Sequence, residues 1–213
     1  MTTLEYIIDK YKIALPQRRM PIEIPNMGRE QLPGLLNELG SKVGAEIGVC
    51  SGEYSHSLCK GIPELELYCV DSWVPYSDYH DRWTSKRITS AKDKTIKLLH
   101  GYNFHIVDKY SMDAVKEFKD DSLDFVYIDA NHELPWVLDD IFHWTKKVRP
   151  GGIVAGHDYI EQRGRYTRIH VIPALFAYTW AFKISPWFVI GTRAKVAGEI
   201  RDDHRSWMFV REQ

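Results

Sequence analysis

Runs of apolar, β-favouring residues alternate with helical segments along most of this chain, and that alternation limits the fold more than any other feature. Five such runs, at residues 42–49, 66–73, 104–111, 123–130 and 151–159, are each followed by a segment of helical composition. This alternation is typical of a mostly parallel sheet covered by helices on both faces. A chain of 213 residues has room for one such core, so we expect a single Rossmann-like, doubly wound α/β domain.

Three further segments complete the architecture expected for residues 1–213. Residues 1–40 are predicted to form an N-terminal helical segment, whose amphipathic part suits a contact in a homodimer. Residues 74–90 are aromatic and charged and fit no core pattern, so residues 74–100 are predicted to form a lid over the active site. The last two apolar runs lie too near each other for a helix between them, which indicates an antiparallel hairpin at the sheet edge.

The composition excludes several classes of protein. The chain has 28 basic and 29 acidic residues, whereas nucleic-acid-binding proteins carry a basic patch, so no nucleic-acid partner is expected. Three cysteines form no C-x-x-C pair, and the charged N-terminus is unlike a signal peptide, which together favour a reduced, cytoplasmic protein. Lys183 and two prolines interrupt the apolar residues 171–190, so we expect a helix, a turn and a strand there and no membrane partner.

The stretch AEIGVCSGEYS carries the first candidate ligand site. Its spacing is E-x-G-x-x-x-G, from Glu46 through Gly48 to Gly52, and a loop of this kind turns backbone N–H groups and a helix N-terminus toward a ligand. It is not the G-x-G-x-x-G that binds a dinucleotide pyrophosphate. A carboxylate ahead of the glycines suits a cationic or amino-bearing ligand, which points to S-adenosylmethionine. A tight turn without a ligand is the ordinary explanation of the glycines.

Asp71 supports a nucleoside ligand, because it ends the next strand about 20 residues past the loop, where an acid accepts the hydroxyls of a ribose. Trp73 follows and is a candidate wall for the adenine. Two other functions stay open. One is a nicotinamide-nucleotide oxidoreductase, against which Glu46 and the missing dinucleotide motif argue, and the other is a non-catalytic nucleoside-binding module.

Two later strands end in side chains that bind metals. FVYIDANHE places Asp129 and His132 beyond one strand, and GGIVAGHDY places His157 and Asp158 beyond the next. In an open α/β sheet, ligands bind beyond the carboxyl ends of the strands. The four side chains are therefore predicted to share one site, while capped turns and hydrogen bonds to backbone are the ordinary alternative.

In this order, AEIGVCSGEYS, YCVDSW, DFVYIDANHE and RPGGIVAGHDY resemble the class I S-adenosylmethionine-dependent methyltransferases. The likeness is closest to the family 24 type, which includes metal-dependent O-methyltransferases of small molecules such as catechols and antibiotic sugars. It covers the chain from about Val43 onward and implies a seven-stranded sheet with an antiparallel last strand. The cofactor contacts that it implies are Glu46, Gly48, Val49, Ser51, Gly52, Asp71, Ser72, Trp73, Ser111, Met112 and Asp129.

The resemblance also gives roles to the polar residues at the two later strand ends. Asp129, His157 and Asp158 stand where the relatives bind a divalent ion. His132 stands where they carry a general base, so His132 and Asp129 are the catalytic candidates for methylation of a small hydroxylated acceptor. His157 departs from the carboxylate or amide that is usual at its position. Imidazole suits Mn²⁺, Zn²⁺ or Fe²⁺ better than Mg²⁺, so either the metal is softer or His157 only orients the site.

Less specific residues complete the hypothesis. Asn131 and Glu133 either contact the acceptor or cap the helix that begins at Pro135. Ser111 lies where the relatives contact adenine, although a helix N-cap explains it equally well. One buried helix face is predicted from Trp136, Leu138, Ile141, Phe142 and Trp144. The candidates for the acceptor pocket are Tyr76, Tyr79, His80, Trp83, Arg163 and Arg165.

Overall fold

The structure of the protein, a computed structural model, describes residues 1–16, 19–74, 85–161 and 169–212. Within these ranges helices and strands alternate as the sequence predicts. The helices are α1 (Thr3–Lys10), α2 (Leu32–Glu38), α3 (Glu53–Gly61), α4 (Ser85–Leu98), α5 (Ser111–Ala114), α6 (Leu134–Thr145) and α7 (Val171–Ala181), with 3-10 helices at Arg29–Gln31 and Val115–Glu117. The strands are β1 (Ile22–Ile24), β2 (Val43–Ile47), β3 (Glu66–Asp71), β4 (Asn103–Asp108), β5 (Leu123–Ile128), β6 (Val148–Gly156), β7 (Phe188–Ile190) and β8 (Ser206–Val210).

The strands form one mostly parallel sheet, whose order across the described residues is β1-β7-β8-β6-β5-β2-β3-β4. β8 is the antiparallel strand, because it runs against both of its neighbours, β6 and β7. The neighbouring strands β2, β3, β4, β5 and β6 run parallel, so their carboxyl ends lie at one edge of the sheet. The Rossmann-like, doubly wound fold with an antiparallel last strand is therefore confirmed.

The sheet has one strand more than the seven expected, within the part of the chain that the structure describes. β1 pairs in parallel with β7, from Ile22 opposite Phe188 to Ile24 opposite Ile190. The β7–β8 pair is therefore antiparallel as predicted, but it lies inside the sheet, and β1 forms the edge. Ile22 and Ile24 are buried while Glu23 between them is exposed. Three residues are too short a run to be recognised as a strand in the sequence.

Side chains on the two faces of the sheet form two apolar clusters. One contains buried residues of α2 and α3, such as Leu35 and Leu58. The other contains buried residues of α6 and α7, such as Ile141 and Leu175. Successive residues of a strand point to opposite faces, so the central strands contribute to both clusters. This burial, worth roughly 25 cal/mol per Å² of apolar area, holds the strand ends that carry the candidate site.

Helix α6 corrects one expected core face. Pro135 lies in its first turn, and Val137, Ile141 and Trp144 are buried as one face of the helix. Trp136 is 53% exposed, because neighbouring residues of a helix point about 100° apart. The predicted place of Trp136 in the core is therefore wrong. Where apolar residues are adjacent, the sequence pattern did not show which of them faces the sheet.

The apolar stretch at residues 171–190 forms α7, a turn and β7, as predicted. Leu175 and Tyr178 are buried, whereas Trp180 is 86% exposed on the outer face of α7. Every helix in the described ranges falls short of the length and apolar character that a bilayer-spanning helix needs.

The predicted lid is described in part. Residues 75–84 lie outside the described residues. The part from Ser85 onward forms α4, in which Ala91 and Thr95 are buried. The assignment of residues 74–100 as a lid stays a prediction.

Candidate active site

The glycine loop, residues 48–52 between β2 and α3, passes close to the end of β5. Gly48 has a φ of +91°, and a Cβ atom there would lie 2.3 Å from the backbone oxygen of Asp129. Gly52, with a φ of +80°, is the N-cap of α3. Residues other than glycine are unfavourable at these positive φ angles, so the turn itself needs both glycines of the motif. The two glycines alone therefore do not indicate a ligand, and the residues around the loop have to be considered.

Asp71 holds the glycine loop in place. Its Oδ2 accepts hydrogen bonds from the backbone N–H groups of Val49 and Cys50 at 3.0 and 2.9 Å. Its Oδ1 accepts a bond of 2.8 Å from the N–H of Trp73, whose indole donates in turn to the backbone oxygen of Cys50. Burial raises the pKa of Asp71, although these hydrogen bonds act to lower it. The acid predicted to contact a ribose thus also organises the loop.

Glu46 lies buried beneath the loop, with only 2% of its surface exposed. The hydroxyl of Ser55 in α3 donates a hydrogen bond to its Oε2. Burial raises the pKa of Glu46 to about 8, while the Ser55 hydrogen bond and the charge of Arg29 act in the opposite direction. Burial thus favours the protonated form of this carboxyl group, whereas a cation bound beside it would favour the ionised form.

A cavity of about 360 Å³ opens between the glycine loop and the strand ends. Its volume lies in the range of small-ligand pockets. The predicted cofactor contacts that line it are Glu46, Gly48, Val49, Asp71, Ser72, Trp73, Ser111 and Asp129. The predicted contacts that are not among its described lining residues are Ser51, Gly52 and Met112.

Ser111 is held at the cavity wall by two side chains of α6. Its hydroxyl donates to Asp140 and accepts a bond of 2.8 Å from the indole Nε1 of Trp144. Burial raises the pKa of Asp140 to about 7, against the hydrogen bond from Ser111, which lowers it. Tyr110, and not Ser111, is the N-cap of α5, so the N-cap explanation of Ser111 is wrong.

The side chains beyond β5 and β6 meet in what we call the polar corner, defined by Asp129, His132, His157 and Asp158. Nε2 of His132 lies 3.3 Å from Oδ1 of Asp129 and 3.1 Å from Oδ2 of Asp158. Nδ1 of His157 lies 3.7 Å and 3.5 Å from the same two oxygens. The structure thus brings all four predicted residues together, and both imidazoles face one pair of carboxylate oxygens.

Asp158 is the most buried member of the polar corner, at 7% exposure. Its φ is +55°, a left-handed conformation that aspartate tolerates better than most residues. Burial alone would raise the pKa of Asp158, but the hydrogen bond from His157 and the electrostatic interaction with the imidazoles of His132 and His157 hold this pKa well below its usual value. The carboxylate therefore stays ionised, as a cation ligand must.

Two residues far from both motifs complete the site. Nδ1 of His204, in the β7–β8 connection, lies 2.6 Å from Oδ1 of Asp158. Nη2 of Arg29, in the first 3-10 helix, donates a bond of 2.7 Å to Oδ2 of Asp129. Neither residue belongs to a recognisable motif, and the sequence reasoning missed both.

Three residues of the polar corner form a group that could hold a metal ion. One ligand atom each from Asp129, His132 and Asp158 lie within 4.8 Å of one another. His157 faces the same oxygens, so two ligand sets are compatible with the geometry, each with both carboxylates and one histidine. A mixed set of nitrogen and oxygen donors suits Mn²⁺, Fe²⁺ or Zn²⁺ better than Mg²⁺.

The remaining predicted residues divide into two groups. Asn131 lines the cavity, and its Oδ1 accepts a bond of 2.9 Å from the N–H of Glu133, which is the N-cap residue of α6. The helix begins at Leu134, one residue before Pro135. The predicted residues of the acceptor pocket lie outside the described part of the chain; they are Tyr76, Tyr79, His80, Trp83, Arg163 and Arg165.

The sequence matches one family and one curated relative. A family model described as a methyltransferase domain matches residues 45–159. An uncharacterized protein of Acanthamoeba polyphaga mimivirus is 28% identical over 118 residues, which make up 52% of this chain and 53% of the viral protein. The chain therefore matches about half the length of this curated relative.

Solved methyltransferase structures share the fold. The O-methyltransferase from Bacillus cereus in complex with SAH superposes with a TM-score of 0.62 at 16% identity, over 98% of this chain and 90% of that chain. The O-methyltransferase TomG from Streptomyces achromogenes, involved in tomaymycin synthesis and solved with SAM, gives a TM-score of 0.59 at 16% identity, over 85% of this chain and 78% of that chain. At this level of identity the likeness shows a common fold.

Proposed function

Because this chain belongs to the methyltransferase family whose domain matches residues 45–159, we propose that it transfers the methyl group of S-adenosylmethionine to a hydroxyl group of a small molecule. The cavity beside the glycine loop is where we place the cofactor. Its walls include the carboxyl groups of Glu46, Asp71 and Asp129, which favour the sulfonium and ammonium charges of this ligand. Two proteins with this fold, from Bacillus cereus and Streptomyces achromogenes, were solved in complex with SAH and with SAM, which supports the choice of this cofactor.

The observation that carries the choice of a hydroxyl acceptor is the position of the polar corner against the cavity. Asp129 and His132 belong to both. A hydroxyl group placed there would pass its proton to the imidazole of His132 while its oxygen attacks the methyl carbon and the carbon–sulfur bond breaks. S-adenosylhomocysteine would leave as the neutral thioether. Little further covalent chemistry is needed, so most of the rate enhancement would come from positioning and charge.

We assign the two histidines different roles in this proposal. His132 lines the cavity, whereas His157 is not among the described residues that line it. His132 is therefore placed as the base, and Asp129, Asp158 and His157 as the residues that would hold a divalent cation. Such a cation, when bound, lowers the pKa of a coordinated hydroxyl group. The reverse assignment, with His132 as the cation ligand, predicts that cation binding is lost in His132→Ala and kept in His157→Ala.

The acceptor would enter under residues 74–100, which we propose as the lid of a single domain. The structure describes residue 74 and residues 85–100 of this segment. Of these, Val74, Ile88 and Ala91 line the cavity. A cover of this kind excludes water from the reacting atoms and contributes to the selection of the acceptor. We therefore place the determinants of acceptor identity largely in this segment.

The test is methyl transfer from isotope-labelled S-adenosylmethionine to a panel of catechols, hydroxylated sugars and the matched amines. Each acceptor is assayed with Mg²⁺, Mn²⁺ or Zn²⁺ and with a chelator. We expect transfer to hydroxyl acceptors, stimulated most by one of the softer cations and abolished by the chelator. Transfer to the amines alone would contradict the choice of a hydroxyl acceptor. Full activity in the chelator would contradict the cation site.

A further inference from the structure

Arg29 lines the cofactor cavity although it lies outside residues 45–159, the segment that the family model matches. We infer that Arg29 binds the carboxylate at the amino-acid end of S-adenosylmethionine. This inference rests on the proposed function, because it assigns one group of the same cofactor to one residue of the same cavity.

Several contacts hold the guanidinium group of Arg29 in one place. Nη2 donates to Oδ2 of Asp129 at 2.7 Å. The group also lies over two aromatic rings, with its central carbon 4.2 Å from the ring centre of Tyr54 and 5.3 Å from that of Tyr127. The hydroxyl of Tyr54 donates to the backbone oxygen of Arg29 at 3.2 Å. A guanidinium fixed in this way loses little further freedom when it binds a planar anion.

The same guanidinium group has a buried donor without an acceptor. Nε of Arg29 is buried and has no hydrogen-bond partner in the described part of the chain. A buried donor that stays unpaired is destabilising, and each such donor in a native structure calls for an explanation. Since Nε itself is buried, a carboxylate in the cavity would meet the exposed part of the side chain, 24% of whose surface is accessible, and would accept from guanidinium N–H groups there.

The charges around Arg29 also match the amino-acid end of the cofactor. That end carries an ammonium group and a carboxylate on the same carbon, so it needs an acidic and a basic partner close together. Glu46 and Asp129 supply the acidic groups, and Arg29 lies close enough to both to interact with their charges. Among the described lining residues, Lys109 is the other lysine or arginine; it pairs with Glu117, outside the described lining, whereas Arg29 pairs with Asp129, which lines the cavity itself.

The test compares two ligands that differ only in the carboxylate. S-adenosylhomocysteine carries it, whereas decarboxylated S-adenosylhomocysteine keeps the ammonium group and the adenosine. Calorimetric titration of the full chain and of Arg29→Met, without acceptor, gives a dissociation constant for each pair. We expect Arg29→Met to bind S-adenosylhomocysteine about ten- to a hundredfold more weakly, as for loss of a charge-assisted hydrogen bond. Its affinity for the decarboxylated ligand should change by less than about threefold.

Arg205 provides a matched control. Arg205 is more buried than Arg29. Like Arg29 it pairs with a carboxylate, on Glu23, and lies over a tyrosine ring, that of Tyr159, and its Nε likewise has no partner in the described residues. It is not among the described residues that line the cavity. We expect Arg205→Met to leave the ratio of the two affinities unchanged, whatever it does to stability.

Each outcome decides the inference. A selective loss of S-adenosylhomocysteine binding in Arg29→Met supports it. Equal losses for the two ligands, or no loss for either, would show that Arg29 only supports the structure around Asp129. If Arg29→Met does not fold, judged by circular dichroism, Arg29→Lys replaces it, and its loss should be smaller but again confined to S-adenosylhomocysteine. Failure of the parent protein to bind both ligands would instead overturn the proposed function, and this inference with it.

Discussion

The glycine loop and the polar corner lie at the same end of the sheet, but different groups hold them in place. The loop is held through its backbone, because the carboxylate of Asp71 accepts hydrogen bonds from the N–H groups of Val49, Cys50 and the nearby Trp73. The polar corner is held by side chains that contact one another, with His132 and His157 both facing oxygens of Asp129 and Asp158.

The difference has a functional meaning. In the loop one buried carboxylate holds several backbone N–H groups, and this fixes a single shape that suits a site for one constant cofactor. A cluster of carboxylates and imidazoles responds to protons and cations, which suits the place where the acceptor hydroxyl would react. Variants on the two sides should therefore fail in different ways, with lost binding from the loop and lost chemistry from the polar corner.

The largest expected effect is a loss of turnover, without a loss of cofactor binding, when His132 is replaced. His132→Ala should lower turnover about a hundred- to ten-thousandfold, the range typical of a lost general base. Its affinity for S-adenosylhomocysteine should stay within about threefold of the parent value, because no binding contact is assigned to the imidazole. Turnover and calorimetric titration on the same protein preparation measure both quantities.

His105→Ala is the control for His132→Ala. His105 lies on β4 and is bonded to Glu66 at 2.8 Å, away from the cavity-lining residues. It should keep full turnover. Equal turnover by His132→Ala and the parent protein would remove the base role from the proposal.

The next effect distinguishes the two histidines of the polar corner. Asp158→Asn and His157→Ala should each weaken Mn²⁺ binding by at least about a hundredfold, because both remove an assigned ligand. His132→Ala should leave the Mn²⁺ affinity nearly unchanged. Calorimetric titration with Mn²⁺ measures all three. Loss of Mn²⁺ binding in His132→Ala, with normal binding in His157→Ala, would reverse the assigned roles.

On the loop side, Asp71→Ala should reduce both stability and cofactor binding. It leaves three backbone N–H groups without this acceptor, at a cost of about 1–3 kcal/mol in the free energy of unfolding for each of them that water does not reach. The affinity for S-adenosylhomocysteine should fall by at least about tenfold, because the loop loses its fixed shape. Urea unfolding and calorimetric titration provide the two measurements.

Asp108→Ala controls for the loss of a strand-end acid. Asp108 stands opposite Asp71 in the next strand, and its exposed carboxylate pairs with Lys92. We expect little change in either quantity, since exposed ion pairs contribute less than about 1 kcal/mol. An equal loss of affinity for S-adenosylhomocysteine in Asp71→Ala and Asp108→Ala would mean that binding depends on negative charge at this edge and not on the hydrogen bonds that support the loop.

The last expected effect, on stability alone, is a pH dependence from Glu46. Burial raises its pKa to about 8 in the folded protein, from an ordinary value of 4.5. Between these two values the folded state holds a proton that the unfolded state has released, so stability falls as pH rises, by up to about 1.4 kcal/mol per pH unit. Glu46→Gln cannot release this proton.

Denaturant unfolding between about pH 5 and pH 8 compares Glu46→Gln with the parent protein. The variant should gain stability relative to the parent as pH rises. Asp140→Asn tests the same effect on the other face of the sheet. Burial raises the pKa of Asp140 to about 7, so this variant should also gain stability relative to the parent as pH rises. Identical slopes for Glu46→Gln and the parent would show that Glu46 is ionised in the folded protein.

The sequence predicted best what is contiguous along the chain. The alternation of apolar runs and helices predicted the doubly wound sheet, and the two motifs at the ends of β5 and β6 predicted the four residues of the polar corner. What it missed comes from distant segments or from short ones. Arg29 and His204 reach the site only through the fold, and β1 is too short to show a pattern. The place of Trp136 was wrong because the apolar spacing did not show which adjacent residue faced inward.

The central claim is that one end of the sheet binds the cofactor through the loop and a cation through the polar corner. Calorimetric titration with S-adenosylhomocysteine, with and without Mn²⁺, and with NAD as a control, tests it most directly. We predict micromolar binding of S-adenosylhomocysteine, stronger binding in the presence of Mn²⁺, and no binding of NAD. Absence of S-adenosylhomocysteine binding, or a preference for NAD, would contradict the account and every role assigned to the cavity.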